Sequence, residues 1–363
     1  SYSMIRSLLS SNQLPDASLV RIEEMINYFK YSYPAPDDAA FAVSTEVGAA
    51  PWVASHRLVR IGIKGREVTA KSRPPSNLVF LIDVSGSMHG ADKIGLLKQG
   101  FSMLVDQLDA RDSVSIVTYA GSSGVVLPPT KGSDRKTILA ALEDLQTGGG
   151  TNGSQGINAA YELAAQSFVE GGTNRVILAT DGDFNLGASS PAELQNLIEQ
   201  KAKTGVFLSV LGFGTGNYRD QTMETLADKG NGNYAYLDSA AEAKRVLVSE
   251  ASGTLITIAK DVKIQVTWNP DFVRSFRLIG YENRALAHQD FTNDQKDAGE
   301  IGAGHTVTAL YEIEPTSLTS QGKALGNLAI RFKEPDGVTS RQVDGPITGA
   351  DTAFDSMPTD FRF

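Results

Sequence analysis

The chain has 363 residues, 41% of them apolar, enough to bury a full core, and its length points to two domains rather than one. Lys and Arg total 33 against 42 Asp and Glu, a net charge of −9 with no long basic run, which argues against nucleic acid or an anionic membrane surface as partner. Cysteine is absent, which excludes disulfides, thiolate metal sites and cysteine nucleophiles, and the apolar runs are strand-length, well short of the roughly 20 residues a membrane helix needs.

In chain order, Ile22, Met25, Ile26 and Phe29 mark one amphipathic helix in a short N-terminal helical segment, residues 1–40, closed by Tyr33-Pro34-Ala35-Pro36. The start at Ser1 without Met is what a trimmed or mature form would have. Residues 41–47 and 58–63 read as strands. From 76 to about 253, short apolar runs alternate with longer amphipathic ones, the pattern of a doubly wound, mostly parallel sheet wrapped by helices. Leu78-Val79-Phe80-Leu81-Ile82 reads as a central strand buried on both faces, and Ile94, Leu97, Phe101, Leu104, Val105 and Leu108 follow at helical spacing. Further strands are expected at 113–119, 175–180, 207–213 and 234–237, and further helices at 138–145, 157–168, from Pro191, at 223–228 and at 241–248.

Beyond this block, residues 262–268, 273–281, 306–313 and 327–332 read as strands separated by turns, and helices are scarce. Two upstream strands cannot form a stable sheet alone. They are therefore expected to join the downstream strands in one β-sandwich, a discontinuous domain of residues 41–75 and 254–345 into which the α/β domain, 76–253, is inserted. Residues 346–363 are expected to form a C-terminal tail.

Asp83-Val84-Ser85-Gly86-Ser87 follows the first buried strand directly, where open α/β sheets place their ligands. Alternation points Asp83, Ser85 and Ser87 the same way, and Gly86 permits a tight turn. Thr151 comes after the Gly148-Gly149-Gly150 loop and Asp181 ends the strand Val176-Ile177-Leu178-Ala179-Thr180, so both belong on the same sheet edge. Hydroxyls and carboxylates are hard donors that suit Mg²⁺, with Mn²⁺ or Ca²⁺ as substitutes, and not a zinc-like choice. If the neutral hydroxyls touch the metal while the aspartates hold its waters, the ion stays electrophilic enough to accept a carboxylate from a partner.

These five residues match the D-x-S-x-S, T, D pattern of the metal-ion-dependent adhesion site, and the chain resembles the von Willebrand factor type A domains that carry it. The resemblance implies Ser85, Ser87 and Thr151 as direct or near-direct ligands, Asp83 and Asp181 as water-mediated ones, and a Glu or Asp of a protein partner in the open position. Three further stretches, at 21–29, 230–236 and 296–307, are similar to the bacterial YfbK-like group of such proteins. That similarity implies a cell-envelope location (periplasmic, lipid-anchored or secreted) and more sequence beyond Phe363, while the type A pattern implies a Rossmann-like fold and a binding module rather than an enzyme.

Other readings carry less. Gly148-x-Gly150-x-x-Gly153 matches a dinucleotide fingerprint but follows a helix instead of a strand. A metal-dependent, phosphatase-like hydrolase with Asp83 as nucleophile is the main alternative, yet Ser85 occupies the place of the second acid such chemistry uses for proton transfer. His89 is the nearest histidine for a serine triad, and a lone surface His is usually solvated. Asp183 is a possible accessory ligand, although an acid before a helix or loop is more often a cap.

Overall fold

The computed structural model describes residues 1–69, 71–150, 153–182, 190–214, 220–281, 290–293, 298–316, 321–335 and 337–363. They form two compact units: Ser1 with residues 3–19 and 68–256, and Tyr2 with residues 20–67 and 257–363. In chain order come α1 (Tyr2–Ser10), α2 (Ile22–Asn27), β1 (Phe41–Ala49) and β2 (Arg57–Gly65). The α/β unit then adds β3 (Ser76–Asp83), α3 (Leu96–Val105), β4 (Ser113–Tyr119), β5 (Ser123–Lys131), α4 (Arg135–Glu143), α5 (Gly153–Gln166) and β6 (Thr173–Thr180). It continues through α6 (Pro191–Ala202), β7 (Val206–Phe213), α7 (Asp220–Lys229), β8 (Tyr234–Leu237), α8 (Ala240–Lys244) and α9 (Ala251–Leu255).

The six strands lie in the order β5-β4-β3-β6-β7-β8, parallel except for β5, which runs antiparallel to β4. Every residue of β3 is buried, because helices cover both faces of a parallel sheet and a central strand must be apolar on both sides. On one face Ile157, Ala160, Tyr161 and Ala164 of α5, with Leu194, Ile198, Met223 and Leu226 of α6 and α7, close over Val79, Leu81, Val176 and Leu178. On α3, Leu97, Phe101 and Leu104 recur at helical spacing and are buried, with Phe101 stacked on Phe80 at 4.1 Å. Each such side chain contributes about 1.5–3 kcal/mol of burial. The β5 hairpin went unrecognised in the sequence because Ser123–Lys131 is largely exposed and carries two prolines, as an edge strand does.

The N-terminal helical segment is present as α1 and α2. The Ser3 hydroxyl donates to the Tyr236 carbonyl at 2.7 Å, and Arg6 forks onto Asp238 at 2.8 and 2.6 Å, so α1 caps the short edge strand β8. Arg6 also bonds Glu242 at 3.1 Å, and polar contacts of this kind have no periodicity to read.

The second unit adds β9 (Thr257–Trp268), β10 (Val273–Ile279), β11 (Gly299–Gly302), β12 (Thr306–Pro315), β13 (Ala324–Lys333), β14 (Ser340–Thr348) and α10 (Thr359–Arg362). Two antiparallel four-stranded sheets, β1-β2-β12-β10 and β11-β9-β13-β14, form a β-sandwich. Phe41 meets Phe332 edge-on at 4.7 Å and Trp268 meets Tyr311 at 5.4 Å, each pair with one ring from either sheet. Strand β2 pairs along β12 from Lys64↔Thr306 to Arg57↔Ile313, so the upstream hairpin closes a sheet with strands that follow the α/β unit in sequence. Pairing of β10 with β12 stops at Leu310, and there the Asn27 carboxamide takes over: Thr308 N–H donates to its Oδ1 at 2.6 Å and its Nδ2 donates to Thr308 O at 3.0 Å. Residues 346–363 are not a loose tail, since β14 runs to Thr348 and Met357 and Phe361 are buried with Ala50, Leu58 and Ile279.

On β12, Glu312 accepts from Trp52 Nε1 at 2.9 Å, from Arg277 Nη2 at 2.6 Å and pairs with His56 Nδ1 at 2.6 Å, and these partners pull its pKa from 4.5 down to about 2. A depressed carboxylate adds stability that is full above its unfolded pKa and is lost as pH falls through its folded one. Glu312→Gln should therefore melt lower than wild type at neutral pH and lose less further stability between pH 4.5 and 2, measured by circular dichroism across that range. Removing residues 1–75 strips β2 from β12 and leaves an open sheet edge. The fragment 76–363 should aggregate, where a soluble, cooperatively melting fragment would show that β2 is dispensable.

Candidate metal site

The sheet reverses its direction of winding at β3: β4 and β5 lie on one side, β6, β7 and β8 on the other. Loops leaving β3 and β6 therefore part at their carboxyl ends and leave a crevice there. Asp83 is the last residue of β3, and Asp181 follows the last residue of β6. Both are buried, Asp83 at 0% and Asp181 at 8% exposure.

The Asp83 carboxylate is held from three directions. Its Oδ1 accepts the Ser85 N–H at 2.9 Å, and its Oδ2 accepts the Thr180 hydroxyl at 3.1 Å and the Tyr119 hydroxyl at 3.3 Å. Gly182 N–H donates in turn to Thr180 Oγ1 at 3.2 Å, which orients that hydroxyl's own proton toward Asp83. Burial raises the Asp83 pKa, the bonds from Ser85 and Thr180 pull against it, and the charge of Asp181 raises it further. Burial also pushes Tyr119 well above the ordinary tyrosine range, with the Asp83 charge adding to it, so the phenol stays a donor.

After β3 the chain is extended at Ser85 and turns through Gly86–Met88, with the Met88 side chain wholly buried as an anchor. This turn sets Ser85 Oγ 3.1 Å from Ser87 Oγ, with Ser85 buried and Ser87 exposed. Gly86 N–H donates to Gly149 O at 3.2 Å and Gly148 N–H to Val84 O at 2.8 Å, so the triple-glycine loop is strapped to the loop bearing the serines. Gly149, at φ +80°, has the backbone freedom that this strap uses. Thr151 and Asp183 lie outside the described residues. His89 Nδ1 lies 3.3 Å from Thr147 Oγ1.

Asp181 Oδ2 and Ser87 O each accept a hydrogen bond from the Lys93 ammonium at 2.9 Å, which ties the β6 end to the serine loop. Among the described residues no three His, Asp or Glu side chains gather to hold a cation. The donor set is two hydroxyls and two carboxylates, which is hard and of low charge. It fits a small divalent ion that keeps several of its waters. The residues that sequence reasoning passed over are Thr180, Tyr119 and Lys93; the first two end β6 and β4, and the ends of neighbouring strands are where such partners could have been sought.

Residues 77–249 match the family model "von Willebrand factor type A domain", residues 1–60 match "von Willebrand factor", and residues 253–363 match "Uncharacterized protein YfbK, C-terminal". The chain is a von Willebrand factor type A domain protein. Over 96% of its length it is 40% identical to "Uncharacterized protein YfbK" of Escherichia coli, of which it spans 65%. It is 27% identical, over 71% of its length, to the inter-alpha-trypsin inhibitor heavy chain H3 of Mesocricetus auratus, of which it spans 31%. Among solved structures, the von Willebrand factor type A protein from Catenulispora acidiphila is similar in fold, with a TM-score of 0.52 at 19% identity over 89% of this chain and 76% of that one. Type A domains typically mediate protein–protein interaction.

Within the type A domain, Thr180→Val keeps the shape of the residue but removes a donor from a buried carboxylate, at a cost of about 1.5–3 kcal/mol. Chemical denaturation should show that loss, and Thr180→Ser should recover most of it.

Proposed function

We propose that this chain is a metal-ion-dependent protein-binding module, serving adhesion or assembly, whose Mg²⁺ presents an open position to an Asp or Glu of the partner. The observation that carries this reading is the convergence of Asp83, Ser85, Ser87 and Asp181 at the divergent carboxyl ends of β3 and β6. Ser85 and Ser87, with Thr151, would touch the ion, while Asp83 and Asp181 would hold its waters. When bound, the ion supplies an electrophilic centre for a carboxylate ligand. The protein supplies rigidity: Asp83 is fixed by three donors, and the serine loop is strapped to the glycine loop before any ligand arrives.

The partner is read as a protein, consistent with a net charge of −9 that disfavours nucleic acid. Among the described residues no helix is long and apolar enough to cross a membrane. A cell-envelope location follows from the resemblance to the YfbK-like group and belongs to the same proposal.

Calorimetry with Mg²⁺ or Mn²⁺ should give one site per chain, lost in the double variant Ser85→Ala, Ser87→Ala while its fold persists by circular dichroism. At a metal concentration 100 times Kd, wild type should gain about 2.7 kcal/mol of stability and the double variant none. Capture of a partner from envelope extract should disappear with a chelator. Unaltered metal affinity in the double variant would overturn the assignment, and substrate-specific phosphatase turnover lost in Asp83→Asn would replace it with a hydrolase.

A further inference from the structure

Lys93 is an unusual neighbour for a divalent-cation site. Its ammonium donates at 2.9 Å to Asp181 Oδ2 and at 2.9 Å to Ser87 O, one acceptor from each of the two loops that would flank the metal. The lysine side chain is 20% exposed and the Asp181 side chain 5%, so solvent screens this pair less than it would a surface one.

Two features hold the lysine in place. It lies in a single π-turn, Ala91–Gly95, at the start of α3, where Gly95 N–H reaches back to Gly90 O at 3.0 Å. Such a turn inserts one extra residue and re-aims the side chains it carries. The lysine stem then crosses Gly214 at the end of β7, where φ is +72° and a Cβ would lie 2.3 Å from Lys93 Cε and 2.9 Å from Cγ. A side chain on that glycine would lift the ammonium off Asp181.

We propose that Lys93 is a displaceable internal counter-ion of the metal site, a determinant of its affinity. The proposal rests on the metal-binding reading above. Without metal, the ammonium neutralises Asp181 and relieves its repulsion of the buried Asp83. A divalent ion held between the two loops needs the same carboxylate and repels the ammonium, so Lys93 swings away as the ion enters. Lys93 thus weakens metal binding while supporting the metal-free fold, and loading the site releases a lysine beside the surface a partner approaches.

Lys93→Met keeps an unbranched stem over Gly214 and removes the charge. In low salt its Mn²⁺ affinity, measured by calorimetry, should rise about tenfold. Its melting temperature should fall below wild type in chelator, and its gain on adding Mn²⁺ should exceed the wild-type gain. Lys93→Arg keeps the charge and should stay near wild type. If Lys93→Met binds Mn²⁺ no tighter than a wild type whose binding is lost in Ser85→Ala, Ser87→Ala, the counter-ion role is wrong and the metal site stands. If neither wild type nor Lys93→Met takes up Mn²⁺, the metal reading falls and the counter-ion role falls with it.

Discussion

Burying the Asp83 carboxylate at the end of β3 puts a potential charge where water does not reach it, and the carboxyl edge of the sheet is arranged around that fact. Backbone N–H from Ser85 and hydroxyls from Thr180 and Tyr119 satisfy it, so the end of β3 is bonded to its own loop and to the ends of both flanking strands. The same arrangement brings a second acid, Asp181, close enough to oppose ionisation of the first. Two acids in one crevice call for a cation, and the Lys93 ammonium is one that the chain provides for itself. Rigid donors and a demand for positive charge are what the proposed metal site would use.

Closure of the β-sandwich is a constraint of a different kind. Strand β2 must find β12 across the whole length of the α/β unit, and a connection that long carries a loop-closure cost that only a folded insert can reduce. The inserted unit ends in a short connection: Ile256 alone separates α9 from β9. The sheet edges that the pairing does not cover are treated locally. Asn27 completes Thr308 where β10 runs out, and the last turn of the chain buries Met357 and Phe361 over the hairpin.

How much of this was legible depended on whether a feature has a period. The run Leu78 to Ile82, the α3 stripe of Leu97, Phe101 and Leu104, and the strands of both units other than β5, β11 and β14 announce themselves by spacing. Asp83 and Asp181 could be placed from sequence because each stands at the end of a strand with a clear apolar run, and Ser85 and Ser87 follow Asp83 on the same loop. Features without a clear apolar period were not legible: α1 on β8 through Ser3 and Arg6, the exposed edge strand β5, the short β11, and the C-terminal turn anchored by Met357 and Phe361.

The amino-acid order alone therefore determined a mostly parallel sheet inserted between strands and the oxygen-bearing residues on the loops after β3 and β6, because each is written in local spacing and residue type. Tertiary structure decided the rest. That Thr180 and Tyr119 bond Asp83 depends on strand order, since β3 lies between β4 and β6 only in the folded sheet. That Lys93 reaches Asp181 depends on a π-turn and on a glycine at the end of β7, three elements whose meeting no local pattern encodes. Charge compensation is a property of distances in space, so it appears only once the chain has folded.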